Sequence, residues 1–218
     1  VRTHNPGSGH NDLIAPAGIY MSDRDLFVLL INDKHFIDDG AGNSLMMGVM
    51  IWNSEVGART IGGQSFLCDT VCGNHIVWGA QNISTWGYKH MGVVKEKSLK
   101  ILDSLGESFE KHSSISMLQE ANKIKAARNL VLGKDKTTVL DTLDSVVKKR
   151  GLLSLGNKLL NSAYDKAAKQ ERYGNPNALW AILNGITEVS QSKKNMNDRL
   201  DIDQAAGKLT DIILGKAA

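Results

Sequence analysis

The spacing of apolar residues changes once along this chain, near Gly92, and this change constrains the fold more than any other feature. Before Gly92, short apolar runs such as 25–31 and 45–52 alternate with turn-forming residues, as is typical of buried strands. After it, apolar residues recur at intervals of three and four, beginning with the leucines of 99–105, as is typical of amphipathic helices. The sequence therefore predicts an α+β protein, in which a mostly antiparallel sheet precedes a mainly helical C-terminal half.

The chain divides into three segments by composition. Residues 1–18 are rich in Gly, Pro, Asn and His, which predicts a flexible lead-in. Residues 19–92 are predicted to hold four to six strands, with turns at 32–34 and 62–63. Residues 93–218 are predicted to form a helical region packed on that sheet.

Local signals place several elements more closely. Gly48 inside an apolar run predicts a bulge or a close backbone approach. A helix is predicted to end at Gly151, after Lys148, Lys149 and Arg150. The remaining predictions for the second half are a helix over 138–149, a further segment over 152–173, an N-cap at Asn175 with Pro176 behind it, a helix over 177–189, a polar basic connector over 191–199 and a last helix over 203–214.

Charge is distributed unevenly. The net charge is +3, but residues 1–92 carry 5 Lys and Arg against 8 Asp and Glu, whereas residues 93–218 carry 21 against 15. This excess of cations permits contacts with a polyanion from the second half. It is equally compatible with solvated helix faces.

No apolar run approaches the length of about 18 residues that a membrane span needs, and no secretory signal pattern is present. The only two cysteines, Cys68 and Cys72, do not suggest a disulfide framework and favour a reducing cytoplasm. We therefore expect a cytoplasmic protein without a membrane partner. The first residue is Val, which suggests a processed or truncated product.

Metal ligands are sparse. The turn over 38–43 lacks the alternating acidic ligands of a calcium loop, and two histidines in the lead-in, six residues apart, are a weak pair. Cys72, His75 and His90, with Glu55 or Cys68, can supply zinc ligands, but their spacing fits no recognised zinc pattern. We predict no metal and no cofactor.

The stretch from Trp52 to Gly92 mixes apolar and polar residues more closely than any other. Such a mixture is costly to bury unless each polar group finds a partner. We therefore interpret one set as a mainly structural motif core that bonds neighbouring backbone: Asn53, Ser54, Glu55, Cys72, Asn74 and His75. Ser54 lacks the G-x-S-x-G setting of a nucleophile, whereas Glu55 stays open as a general base.

Aromatic and basic residues alternate at the end of this stretch. Cations that bind phosphates and rings that stack on bases together hold single-stranded nucleic acid. The predicted nucleic-acid face comprises Arg59, Trp86, Lys89, His90, Lys95 and Lys97. The alternative is that Trp86 is a core side chain and the lysines are only solvated.

Several motifs occur together in one order: YMSDRDLFVLL, WNSEVG, VCGNHIVWG, KHMG and NALWAILNGITE. In this respect the chain resembles the phage/plasmid-like family called domain of unknown function 932, over about residues 19–190. Lys89 stands where that family usually has Arg, which keeps the charge but loses bidentate geometry. The resemblance implies a role in the biology of mobile elements, and a longer N-terminus than this chain has.

Our leading hypothesis is a phage- or plasmid-type protein that binds nucleic acid, with single strands as the expected partner during replication or recombination in a bacterial host. One alternative is a metal-dependent or hydrolytic enzyme that uses Glu55, His75 and His90. Another is a structural or host-interaction protein without chemistry. Whether the chain forms a homo-oligomer is left open.

Overall fold

The computed structural model describes residues 2–3, 13–14, 19–21, 25–38, 42, 44–54, 61–69, 75–76, 86–88, 99–100, 103, 107 and 115–217. Within them, antiparallel strands occupy the N-terminal part and helices the C-terminal part. The predicted α+β fold is confirmed, with its elements in the predicted order.

The sheet is built on three long strands, β4 (Asp25–Asp38), β5 (Ser44–Ser54) and β6 (Ile61–Asp69), which pair antiparallel in chain order. The shorter strands are β1 (Arg2–Thr3), β2 (Leu13–Ile14), β3 (Ile19–Met21), β7 (His75–Ile76) and β8 (Trp86–Tyr88). β1 and β3 pair with β4, β2 with β3, and both β7 and β8 with β6. Two of the short strands thus come from the segment whose composition predicts a flexible lead-in.

Two turn predictions within the sheet are wrong. Residues 32–34 lie inside β4, where pairing with β5 continues across an irregularity between Asn32 and Phe36. Residues 62–63 lie inside β6, paired with β5 on one side and β8 on the other. Pairing with neighbouring strands supplies partners for the backbone groups, and this outweighs the local turn preference of Asn, Asp and Gly.

The prediction of a close approach at Gly48 is confirmed. Gly48 lies directly opposite Phe66 in the register of β5 and β6. A β-carbon at Gly48 would collide with the ring of Phe66, which is itself only 1% exposed. Glycine is therefore required here by the ring that covers its backbone.

Five helices lie within the described residues: α1 (Ile115–Asn129), α2 (Lys136–Arg150), α3 (Asn157–Ala168), α4 (Leu179–Gln191) and α5 (Met196–Ala217). Single 3-10 turns at Leu153–Leu155 and Glu171–Tyr173 flank α3. Leu99, Lys100, Asp103 and Glu107 are also helical, within the stretch where leucine spacing predicts a helix.

Sequence signals located the end of α2 well. Gly151 adopts the left-handed conformation, with φ 64°, and its N–H meets the carbonyls of Val147 and Lys148. The helix begins two residues before the predicted Thr138. Asp135 is the N-cap and accepts a hydrogen bond from the Thr138 N–H at 2.9 Å, while the Thr138 hydroxyl accepts from the Asp135 N–H.

The predicted starts of α4 and α5 are wrong. α4 begins at Leu179 with Ala178 as its N-cap, because the Asn175 side chain instead accepts from the Asn177 N–H and holds a turn. α5 begins at Met196, inside the segment predicted as a connector. Burial of its first turns against the sheet outweighs the polar composition there.

Two large apolar cores hold the described elements together, beside a small third cluster of Ala167, Tyr173 and Ala181. The helical core joins side chains of all five helices to Ile37, Leu45 and Leu67 of the sheet. The sheet core consists of Tyr20, Phe27, Leu29, Ile31, Met50, Trp52, Phe66, Met196 and Leu200. Since successive strand residues point to opposite faces, Phe66 and Leu67 belong to different cores and this end of β6 is buried on both faces. Trp52 is buried in the sheet core.

Candidate nucleic-acid interface

Most of the nucleic-acid face that the sequence predicts lies outside the described residues. This applies to Arg59, Lys89, His90, Lys95 and Lys97. Trp86 is the first residue of β8, and its backbone lies opposite Gly63 of β6. The sequence-predicted face therefore stays a prediction.

Two residues of the predicted motif core, Asn53 and Ser54, lie at the end of β5. Asn53 lies opposite Leu26 and is half-buried, whereas Ser54 lies opposite Asp25 and is 1% exposed. Asp25 accepts a hydrogen bond from Asn197 of α5, so this end of the strand pair meets the helical half. Ser54 is thus placed inside the structure, where a substrate has no access to its hydroxyl.

The residues of the alternative zinc and enzyme hypotheses are only partly described. His75 lies in β7 opposite Cys68 of β6. Glu55, Cys72, Asn74 and His90 lie outside the described residues. In the part of the chain that the structure describes, no three His, Cys, Asp or Glu side chains cluster as metal ligands.

A second group of cations lies where α2 and α3 form an antiparallel hairpin. Lys136, at the start of α2, binds Asp165 near the end of α3, with 2.6 Å between Nζ and Oδ1. Farther along, Asp144 of α2 and Asn157 of α3 line one shared cleft of about 240 Å³. The C-terminal half of α2 therefore lies beside the first turn of α3.

We call this end of the hairpin the basic tip, and its cations are Lys148, Lys149, Arg150 and Lys158. All four are exposed. Lys148 binds Asp144 at 2.6 Å, yet 72% of its side chain stays exposed. Lys149, Arg150 and Lys158 form no ion pair with any residue in the described part of the chain.

Helix stability explains only some of these positions. Lys149 and Arg150 lie at the negative end of the α2 dipole, where cations are favourable. Lys158 lies in the first turn of α3, at the positive end, where a cation is unfavourable. The N-cap of α3 is Gly156, which has no side chain to bond the first N–H groups. The tip therefore carries, at Lys158, a positive charge that helix stability does not explain.

A different polar group lies where α5 crosses the sheet, and we call it the buried junction. Asn197 Nδ2 donates to Asp25 Oδ2 at 2.9 Å. Seven residues later on α5, Gln204 Nε2 donates to Gln64 Oε1 of β6 at 2.7 Å. These two bonds join one face of α5 to strands β4 and β6.

Two further buried side chains of α5, Arg199 and Asp203, belong to the buried junction. Arg199 and Asp203 are only 6% and 7% exposed. Arg199 Nε donates to the Lys193 carbonyl at 2.7 Å, and its guanidinium lies 5.7 Å from the ring centroid of Tyr20. Burial raises the pKa of Asp203 to about 8, although a hydrogen bond with the Ser190 side chain and the charge of Arg199 both lower it. Ser190 is fully buried, so this group supports the structure and is closed to a substrate.

Sequence reasoning predicted neither the basic tip nor the buried junction as a group of residues. It assigned the cations before Gly151 to a helix end and placed Arg199 in a connector. Lys158 in a first helical turn is the signal that distinguishes the tip, because helix stability disfavours a cation there. Met196 and Leu200, four residues apart around Arg199, are the signal for a buried helix face at the junction.

Comparison with family models, with curated proteins and with solved structures found no match to this chain. The resemblance to the domain of unknown function 932 family therefore stays a prediction. Among the described residues, no helix has the length and apolar character needed to cross a bilayer.

Proposed function

We propose that this chain is a phage- or plasmid-type nucleic-acid-binding protein that handles single strands during replication or recombination in the cytoplasm of a bacterial host. The excess of cations in residues 93–218 supports a polyanionic partner. The resemblance in motifs to a phage/plasmid-like family supports a role in mobile elements. The choice of single strands rests on the aromatic and basic residues around Trp86.

The observation that carries the proposal is the basic tip. Its cations lie on the two helices at one end of their antiparallel hairpin, and three of them lack an ion-pair partner in the described part of the chain. The first turn of α3 has no acidic residue and no side-chain cap. A phosphate of a nucleic acid would pair with Lys158 there and accept hydrogen bonds from the free N–H groups of the helix start. Each phosphate that the tip neutralises also releases condensed counterion, which favours binding at low salt.

The test is a fluorescence-polarisation titration of the protein with labelled single-stranded and duplex oligonucleotides at several salt concentrations. For single strands, the log–log slope of affinity against salt is about −0.7 per phosphate contact, so four contacts predict a slope near −3. The double variant Lys149→Glu/Lys158→Glu should bind more weakly and show a slope shallower by about 1.4.

A matched double variant controls for net charge. Lys134 and Lys169 are exposed and lie at the opposite end of the same hairpin, because α2 begins where α3 ends. Lys134→Glu/Lys169→Glu changes the total charge by the same amount and should keep most of the affinity. A third variant, Lys89→Glu/Lys95→Glu, tests the face that the sequence predicts.

One result would contradict nucleic-acid binding, and another would contradict only the role of the tip. The first is that the parent protein binds no oligonucleotide even at low salt. The second is that both hairpin double variants lose affinity equally, since the tip would then matter only through total charge. If the Lys89→Glu/Lys95→Glu variant alone loses affinity, nucleic-acid binding stands and the tip does not contribute.

A further inference from the structure

The basic tip carries one large apolar side chain that is turned outward. Leu153 is 87% exposed, at the first position of the 3-10 turn between α2 and α3. A single exposed leucine is common on protein surfaces and by itself needs no explanation. What distinguishes Leu153 is how firmly its segment is held and what surrounds it.

The turn that presents Leu153 is fixed on both sides. Leu152 and Leu155 are buried in the helical core, and the Leu155 N–H donates to the Leu152 carbonyl at 2.9 Å. The Ser154 hydroxyl donates to the main-chain oxygen of Asp201 on α5 at 3.3 Å. With its neighbours anchored to the core and to α5, Leu153 has no route into the interior and remains projected into solvent.

Cations flank this leucine in the chain on both sides, with Lys149 and Arg150 before it and Lys158 after it. An exposed apolar side chain that is flanked along the chain by exposed cations suits a partner with anionic groups on its outside and apolar surface behind them. Nucleic acid and an anionic membrane both have this character. A membrane requires more apolar area than one side chain supplies, since even a single long acyl chain anchors only marginally. One leucine is enough to enter a base step, as apolar wedges do in proteins that unstack bases.

We infer that Leu153 inserts between neighbouring bases of the bound strand and unstacks them, while Lys149, Arg150 and Lys158 bind the phosphates on either side. This inference rests on the proposed function and adds a mode of binding to it. The wedge acts through the rigidity of the turn, because a mobile turn would yield to the stacked bases instead of parting them.

The experiment uses a single-stranded oligonucleotide with 2-aminopurine at internal positions, whose emission rises when its neighbours no longer stack on it. The parent protein should raise the emission on binding. Leu153→Ser should lose at least half of that rise, while its affinity falls by less than about tenfold because the phosphate contacts remain. Folding should be retained, since an exposed side chain is exchanged.

Leu118→Ser is the matched control, because Leu118 is a 67% exposed leucine on α1, outside the tip. It should leave both emission and affinity unchanged. If the parent binds the oligonucleotide without raising the emission, or if Leu153→Ser raises it as the parent does, the wedge is refuted and nucleic-acid binding stands. If the parent binds no oligonucleotide, both proposals fail. Leu153-dependent sedimentation with phosphatidylserine vesicles, without an emission change, would replace the wedge by a membrane contact.

Discussion

At the buried junction, Arg199 contacts a main-chain carbonyl and an aromatic ring of this chain, and its charge lowers the pKa of the buried Asp203. At the basic tip, Arg150 and Lys158 extend into solvent and meet no carboxylate in the described part of the chain. The difference follows from solvation. A buried charge costs several kcal/mol unless partners compensate it, whereas an exposed charge stays hydrated at little cost. We therefore expect the junction to control stability and the tip to control binding.

The largest effect is expected from removing an apolar side chain at the junction. Leu200 is fully buried in the sheet core, between α5 and the strands. Leu200→Ala should lower the free energy of unfolding by about 2–5 kcal/mol, because it leaves a cavity where the two halves meet. Urea denaturation measures this change, with Leu118→Ala as an exposed-leucine control. Equal midpoints for both variants would show that the junction does not hold the halves together.

The next effect concerns the pH dependence of stability. The pKa of Asp203 is about 8 in the folded chain against 3.8 for an ordinary Asp side chain. Between these values the folded state keeps a proton that the unfolded state has lost. The contribution is therefore fully present below about pH 4 and is lost as pH rises towards about 8. Between about pH 5 and pH 7.5 the loss should be at most about 3 kcal/mol.

Asp203→Asn checks this prediction, because the amide cannot titrate. Denaturation curves of parent and variant should differ in their pH dependence across this interval, with the variant showing the flatter profile. Parallel profiles would mean that Asp203 is ionised in the folded chain and that Arg199 compensates its charge.

The smallest effect is expected at the tip, and its sign depends on the helix. Lys158→Glu places a negative charge in the first turn of α3 and should raise the free energy of unfolding by about 0.3–1 kcal/mol. Lys149→Glu places one in the last turn of α2 and should lower it by a similar amount. Thermal melts at low salt resolve the two directions. A loss of several kcal/mol in either variant would place that lysine among the groups that maintain the fold.

Sequence reasoning succeeded where a local pattern has one dominant cause. Leucines at helical spacing predicted a helix, because one buried face of a helix requires that period. The apolar run around Gly48 predicted a strand, because a strand buried on both faces requires a continuous run. Gly151 ended α2 because a residue with positive φ is needed there. The turns at 32–34 and 62–63 failed because pairing with neighbouring strands outweighs local preference, and that pairing joins distant segments.

The candidate site likewise combines features visible in the sequence with features that depend on contacts between distant segments. The cations before Gly151 are visible in the sequence, but their meeting with Lys158 depends on the antiparallel packing of α2 and α3, which the Lys136–Asp165 pair records. Arg199 belongs to a polar segment in the sequence. Its burial depends on Tyr20, which is nearly 180 residues away along the chain.

The sequence by itself determined the order of sheet and helices, the end of α2 at Gly151 and the excess of cations in the second half, because each depends on composition or on spacing within one element. Tertiary structure alone decided which end of the α2–α3 hairpin carries Lys158, that Arg199 and Asp203 are buried, and that Leu153 is left exposed. These properties depend on contacts between elements far apart in the chain. The same residue type is solvated at the tip and enclosed at the junction because the surrounding elements, and not the residue, set its environment.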